Sequence, residues 1–128
     1  MKTQYIKKDE VGTFYYADQK MKRLHREDGP AYESVGGSLA WYVNGQLHRE
    51  DGPAIEYADG SRSWYLNGQL HREDGPALTQ PNGLEVYYLN GKKLSKEGWE
   101  KRIRMKQTIV INGKTFTIEE LNDLIASA

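Results

Sequence analysis

The sequence predicts a mainly β protein: an antiparallel β-meander of stacked 23-residue hairpin repeats, followed by a small C-terminal cap of helix, β-hairpin and helix. The first observation is the string Leu-His-Arg-Glu-Asp-Gly-Pro-Ala, which occurs unchanged at 24–31, 47–54 and 70–77. The second is its register, because the three copies begin 23 residues apart. Self-similarity at such a period indicates a repeat architecture and takes precedence over any local pattern.

Each copy is expected to contribute two antiparallel strands. Residues 54–57 alternate and contain strand formers, and residues 63–66 form the returning strand. Asp59-Gly60 lies between them and supplies the positive φ that tight hairpins need. Residues 67–74 are expected to form a longer loop, which Gly75-Pro76 ends. We therefore predict about eight strands, with the long loops along one edge and the turns near 36–37, 59–60 and 82–83 along the other.

Two regions are predicted along the chain. Residues 1–91 form the repeat meander, in which 1–23 are a degenerate N-terminal cap repeat and 24–91 are the three regular repeats. In the cap repeat, strands are expected at 4–7 and 13–16, and Tyr15-Tyr16 stands where later copies have Trp-Tyr. Terminal repeats of a stack are usually atypical because they cap it.

Residues 92–128 are predicted to form the C-terminal helix-hairpin-helix cap. Ser95 is the expected N-cap of a helix at 96–106, and a hairpin at 108–116 turns at Asn112-Gly113. Thr117 and Glu120 form a capping box for the last helix. That helix presents an apolar stripe, which is expected to dock on the meander: Ile118, Leu121, Leu124 and Ile125.

Composition excludes several classes of protein. The 128 residues carry no net charge, but residues 24–91 have a net charge of −6 and residues 92–106 one of +5. There is no cysteine, so disulfides and Cys-ligated metals are excluded. No stretch approaches the roughly 20 apolar residues of a membrane span, and no apolar run near Met1 indicates a signal peptide. We expect a cytoplasmic protein without membrane contact.

The repeat resembles the MORN repeat, and it is closest to the variant MORN repeats of bacterial and phage proteins. The shared features are the 23-residue unit, Asn67-Gly68 followed by His71, the Gly75-led second strand and a Tyr-Ala-Asp-Gly turn at 57–60. The resemblance covers residues 14–91. The loop is longer than in the standard unit and Pro-Ala replaces the second glycine, so phospholipid contacts proposed for some eukaryotic members are not carried over. The resemblance implies a scaffold or binding module, and some bacterial members are described as antitoxins or immunity proteins.

The three histidines, His25, His48 and His71, first suggest a metal site. Equivalent residues two strands apart are roughly 10 Å from each other, whereas zinc holds its nitrogen ligands at about 2.0 Å. We therefore expect no metal and no cofactor, and interpret each ring as packed in its loop with a nitrogen bonded to backbone or carboxylate. The adjacent acids Glu50-Asp51 and their copies are poor acid–base pairs, so an enzyme is the remotest interpretation.

Arginines, tyrosines and basic residues are the candidate interaction residues. The arginines are expected to pair with the aspartate of their own loop, with recognition of a partner as the alternative. Strand tyrosines are expected to pack across strands, or to form an exposed aromatic surface. The candidate partner-binding residues are Arg26, Arg49, Arg72, Tyr42, Tyr65, Tyr88, Lys101, Arg102 and Arg104.

The sequence thus favours a non-enzymatic module for protein–protein interaction. Family resemblance and small size point to an antitoxin or immunity protein, or to a phage-encoded inhibitor of a host defence system. The alternative is a nucleic-acid or nucleotide binder that uses the basic segment 92–106. The sequence leaves the oligomeric state open.

Overall fold

A computed structural model of the chain describes residues 3–127. The protein is mainly β, and two helices lie near its C-terminus. By its packing the chain divides into two units, Met1–Lys93 and Leu94–Ala128. The strands of the large sheet are, in chain order, β1 (Tyr5–Lys8), β2 (Gly12–Tyr16), β3 (Tyr32–Ser34), β4 (Leu39–Ala40), β7 (Ile55–Glu56), β8 (Arg62–Ser63), β11 (Leu78–Thr79), β12 (Glu85–Leu89) and β13 (Lys92–Leu94).

The nine strands follow one another across the sheet in chain order, and β1 to β12 are antiparallel. The predicted antiparallel meander is therefore confirmed as the architecture of the large sheet. Its turns near 36–37, 59–60 and 82–83 are also present. In each, a glycine with φ between 91° and 100° donates its N–H to a carbonyl three residues earlier.

The predicted long loops are only partly loops. Two further hairpins lie outside the large sheet: β5 (Tyr42–Val43) with β6 (Gln46–Leu47), and β9 (Tyr65–Leu66) with β10 (Gln69–Leu70). Asn67 and Gly68 have φ values of 51° and 80°, so they form a two-residue turn that folds β10 back at once onto β9. The prediction of loop structure throughout 67–74 was therefore wrong at Gln69–Leu70, and so was the prediction of two strands per copy.

The interior of the first unit is thin and built from small side chains. Ala31, Ala54 and Ala77, the last residues of the three identical strings, have no exposed surface. The carbonyl groups of Ala54 and Ala77 accept the backbone N–H groups of Trp41 and Trp64. Each of these two alanines thus accepts a backbone hydrogen bond from a tryptophan of the preceding copy.

The second unit has the predicted order of elements. Helix α1 (Lys96–Lys106) is capped by Ser95, whose hydroxyl accepts the N–H of Gly98. Strands β14 (Thr108–Ile111) and β15 (Lys114–Thr117) form a hairpin, and α2 (Ile118–Ala126) follows. Both bonds of the predicted capping box are present between Thr117 and Glu120.

Only two of the four side chains in the apolar stripe of α2 are half-buried, and the other two are exposed. Ile118 and Leu121 are half-buried where the helix contacts α1 and β15. Leu124 and Ile125 are 56% and 74% exposed. The sequence predicted that all four side chains dock on the meander. For Leu124 and Ile125 the predicted burial was wrong, because they lie in the last turns of α2, away from the end of the helix that follows β15. Ile118 and Leu121 pack within the second unit, so docking of the helix on the meander stays a prediction.

Candidate interaction surface

The three arginines of the identical strings make the same contacts. The guanidinium of Arg49 lies 3.8 Å from the centre of the Trp41 ring, and its Nε donates to Asp51 Oδ1 at 3.1 Å. The same stack occurs in the other two copies, where Arg26 lies 4.0 Å from the centre of the Tyr15 ring and Arg72 lies 3.8 Å from that of Trp64. Their Nε atoms donate to Asp28 at 3.0 Å and to Asp74 at 2.8 Å. The predicted ion pairs within each loop are therefore confirmed.

A second bond closes each loop around its arginine. Arg49 Nη1 donates to the carbonyl of Pro53 at 3.1 Å, and Gly52 lies directly against the guanidinium. A Cβ atom at Gly52 would lie 3.0 Å from Arg49 Cζ, which explains why glycine stands at this position. Because ring, aspartate and carbonyl all bind the same guanidinium, the arginine side chains are only 22% to 23% exposed.

The arginines also reach the large sheet in two of the copies. Arg26 Nη1 lies 3.4 Å from Glu33 Oε1 on β3, and Arg49 Nη1 lies 3.5 Å from Glu56 Oε1 on β7. In the third copy the corresponding position is Thr79. Arg26 and Arg49 thus tie their loops to the sheet.

Each histidine connects its own copy to the next one along the chain. Nδ1 of His25, His48 and His71 accepts the backbone N–H of an asparagine 19 residues later, at 2.9 to 3.0 Å. An Nδ1 that accepts has no proton, so in the neutral ring the proton is on Nε2. Nε2 faces the glutamate two residues on, at 3.6 to 3.8 Å. The predicted bond from a ring nitrogen to backbone is confirmed, but to the backbone of the neighbouring copy.

The turn glycines complete this connection. Gly45, Gly68 and Gly91 each donate to a leucine carbonyl of the preceding copy at 2.8 Å. Asn44 and its counterparts adopt φ near 50°, which holds both N–H groups of the turn toward that copy. Within residues 3–127, no group of three or more potential metal ligands comes together.

Four tyrosines form what we call the tyrosine row: Tyr42, Tyr57, Tyr65 and Tyr88. Burial raises the pKa of Tyr65, and the proximity of Tyr57, Tyr88 and Tyr42 raises it further. Burial likewise raises the pKa of Tyr42, with an additional effect of Tyr57. The four phenols therefore lie close enough to interact electrostatically. Tyr57 is 44% exposed and the other three are half-buried.

Carboxylates line the outside of the arginine loops. The aspartates Asp28, Asp51 and Asp74 are 84% to 88% exposed even though each binds an arginine, and the neighbouring glutamates are 56% to 84% exposed. Open grooves of about 690 and 510 Å³ separate successive loops. We call these six residues the acidic ridge: Glu27, Asp28, Glu50, Asp51, Glu73 and Asp74.

The basic candidates lie on the second unit, on α1. Lys101, Arg102 and Arg104 are all exposed. Lys101 and Arg104 line a groove of about 220 Å³ together with Ile118 and Glu119 of α2. A carboxylate thus lies in the same groove as two of the three basic residues.

Two features were missed at the level of sequence. The first is the stacking of each arginine on an aromatic ring, and the second is the histidine–asparagine bond between copies. The histidine–asparagine separation is nineteen residues in all three pairs. The arginine–ring separation is eight residues for Arg49 and Arg72 but eleven for Arg26, where the connection from Tyr15 is longer. An offset that recurs in successive copies is the pattern that identifies such contacts.

Comparison of the chain with protein-family models, with curated proteins and with solved structures found no match. The resemblance to MORN repeats therefore stays a prediction that rests on the residues quoted for it. Among residues 3–127, neither helix has the length and apolar character needed to cross a bilayer.

Proposed function

We propose that the chain is a MORN-like repeat module that binds another protein through its tyrosine row and has no catalytic role. The observation that carries the proposal is the recurrence of a half-buried tyrosine at the same place in three successive copies, Tyr42, Tyr65 and Tyr88, with the more exposed Tyr57 near Tyr42 and Tyr65. Tyrosine offers a large apolar ring, a hydrogen-bonding hydroxyl and few rotatable bonds, so it is enriched among residues that dominate binding energy.

The contacts of the arginines support this choice of surface. Arg26, Arg49 and Arg72 are held by rings, carboxylates and carbonyls of their own unit, and a partner would have to break those bonds to use them. Tyrosines require no such exchange, because a phenol packed by its ring can still offer its hydroxyl to a partner. Among the candidate partner-binding residues we therefore rank Tyr42, Tyr65 and Tyr88 above the arginines.

The acidic ridge indicates the charge of the partner. Six exposed or largely exposed carboxylates repeat along one set of loops, and residues 24–91 have a net charge of −6. Exposed charge of one sign steers an oppositely charged partner toward the surface and raises the association rate. The proposed partner is a protein with a basic surface. An antitoxin or a phage-encoded inhibitor of a host defence system is the biological role that fits such a module.

The test is capture of partners from bacterial lysate by immobilised protein. The variant Tyr42→Phe/Tyr65→Phe/Tyr88→Phe keeps every ring and removes three hydroxyls, and Tyr5→Phe is a matched control on β1. We expect the triple variant to bind the captured protein at least about tenfold more weakly, because each hydrogen bond contributes about 0.5 to 1.5 kcal/mol. Unchanged capture would exclude the tyrosine row.

The same experiment tests the basic segment. Lys101→Glu/Arg102→Glu/Arg104→Glu should leave protein capture unchanged. Co-purification of nucleic acid at physiological salt that this variant abolishes would instead support the alternative of nucleic-acid binding. The salt dependence of binding would identify nucleic-acid binding independently. Each phosphate contact with duplex DNA contributes about −0.9 to the slope of the logarithm of the binding constant against the logarithm of the salt concentration.

A further inference from the structure

Strand β14 is an exposed apolar segment of the second unit. All four of its residues are exposed, with values of 42% for Ile109, 66% for Val110 and 45% for Ile111. Residues 107–113 contain no charged residue and no proline. Short uncharged segments of β-branched residues pair readily with other strands.

One edge of β14 has no partner among the described residues. The strand pairs with β15 alone, in a sheet of two strands. Ile111 and Lys114 flank a two-residue turn and form its closing hydrogen-bonded pair, so Ile109, two residues earlier, also bonds toward β15. The backbone groups of Thr108 and Val110 therefore point to the open edge. Proteins usually protect such edges with charges, prolines, bulges or a covering element.

The charges around this edge indicate what it can accept. Residues 101–118 contain five basic residues and no acidic one, and the carboxylates that follow, Glu119 and Glu120, lie in the first turn of α2, where Glu120 accepts the backbone N–H of Thr117. Lys106 precedes β14, and Lys114 lies on β15 opposite Ile111, at the other end of the strand. A second copy of the chain paired along this edge would bring two such basic stretches together, and like charges in proximity are unfavourable.

We propose that the open edge of β14 binds an extended strand of a partner protein, with apolar residues at its centre and acidic residues on both sides. The incoming strand would take up the N–H and C=O groups of Thr108 and Val110, as in other cases of strand addition. Its apolar side chains would cover Ile109, Val110 and Ile111. Its acids would lie at the two ends of β14, one pair toward Lys106 and the other toward Lys114, whose long side chain would reach across β14 over about 10 Å. This surface is on the second unit, so the proposal does not depend on the tyrosine row.

The test uses the full chain and two synthetic peptides. Each peptide alternates valine and threonine, and carries a pair of aspartates or a pair of lysines at each end. Binding is measured by fluorescence anisotropy of labelled peptide. We expect the aspartate peptide to bind the chain and the lysine peptide to bind at least about tenfold more weakly, because exposed ion pairs with the lysines of the chain become contacts between like charges.

Two variants locate the binding site. Val110→Pro removes the N–H that points to the open edge, and should abolish binding while the bonds of Ile109 and Ile111 to β15 remain. Lys106→Glu/Lys114→Glu leaves the backbone unchanged, so it keeps the test decisive if Val110→Pro fails to fold. We expect the double variant to bind the aspartate peptide roughly tenfold more weakly than the wild type does. Equal binding of both peptides, or binding that neither variant changes, would overturn the proposal. Self-association through β14, seen by sedimentation of the wild type and lost in Val110→Pro, would also overturn it.

Discussion

The arginine contacts make a quantitative prediction for Arg49→Lys. Lysine keeps the positive charge, but it has no planar fork that can stack on Trp41 while it donates to Asp51 and Pro53. The stack contributes about 0.5 to 1 kcal/mol at an exposed site and more when desolvated. A hydrogen bond from a charged donor to the Pro53 carbonyl contributes about 1.5 to 3 kcal/mol. The carboxylate pair adds about 0 to 1 kcal/mol, part of which lysine retains.

We therefore expect Arg49→Lys to lower the free energy of unfolding by roughly 2 to 4 kcal/mol, since these terms are not fully additive. The measurement is urea denaturation followed by tryptophan fluorescence, to which Trp41, Trp64 and Trp99 all contribute. Arg62→Lys is the matched control, because Arg62 is an exposed arginine on strand β8 of the same unit. A loss of less than about 0.5 kcal/mol, equal to that of the control, would refute the idea that the guanidinium holds its loop together.

Three further predictions concern other contacts. His48→Ala should cost about 1 to 2 kcal/mol in urea denaturation because it leaves a backbone N–H without its acceptor, whereas His48→Asn, whose side-chain oxygen can replace Nδ1, should restore most of that loss. Burial raises the pKa values of Tyr42 and Tyr65 in the folded state above the ordinary tyrosine value of about 10. The contribution of the two neutral phenols to stability should therefore be complete below the ordinary tyrosine pKa, and it should be lost as pH rises through the higher pKa values of the folded state. A double change to phenylalanine should then flatten the alkaline limb of a plot of the free energy of unfolding against pH. Leu124→Gln and Ile125→Gln should each change the free energy of unfolding by less than about 0.5 kcal/mol, and a larger loss would mean that these exposed side chains pack after all.

Local patterns predicted the elements of the second unit well. Ser95, Thr117 and Glu120 act through bonds that span three residues, so their roles can be inferred from spacing alone. The same patterns failed for Leu124 and Ile125. Their burial depends on how far neighbouring elements extend alongside the helix, and periodicity carries no information about that.

In the first unit, the turns were predictable but the second set of hairpins was not. Asp59-Gly60 and Asn67-Gly68 are both turn dipeptides, and sequence alone did not show that a strand follows Asn67-Gly68 immediately. The strand there is only Gln69–Leu70, too short for alternation to be recognised. Of the contacts of Arg49, only the ion pair was predictable. Asp51 is two residues away in the sequence, so that pair is local. The stack on Trp41 depends on the path of the chain through the hairpin of β5 and β6.

The separations in sequence of these contacts have a consequence for how the chain folds. Arginine bonds within each loop span two to four residues, and histidine bonds between copies span nineteen. Chains dominated by such short separations lose little entropy on closing each contact, and they fold quickly for their size. Because each of the three identical strings contains its own closing residues, ordering of the first unit can begin at any of them and spread to its neighbours. The repeated string thus provides three equivalent starting points for one sheet.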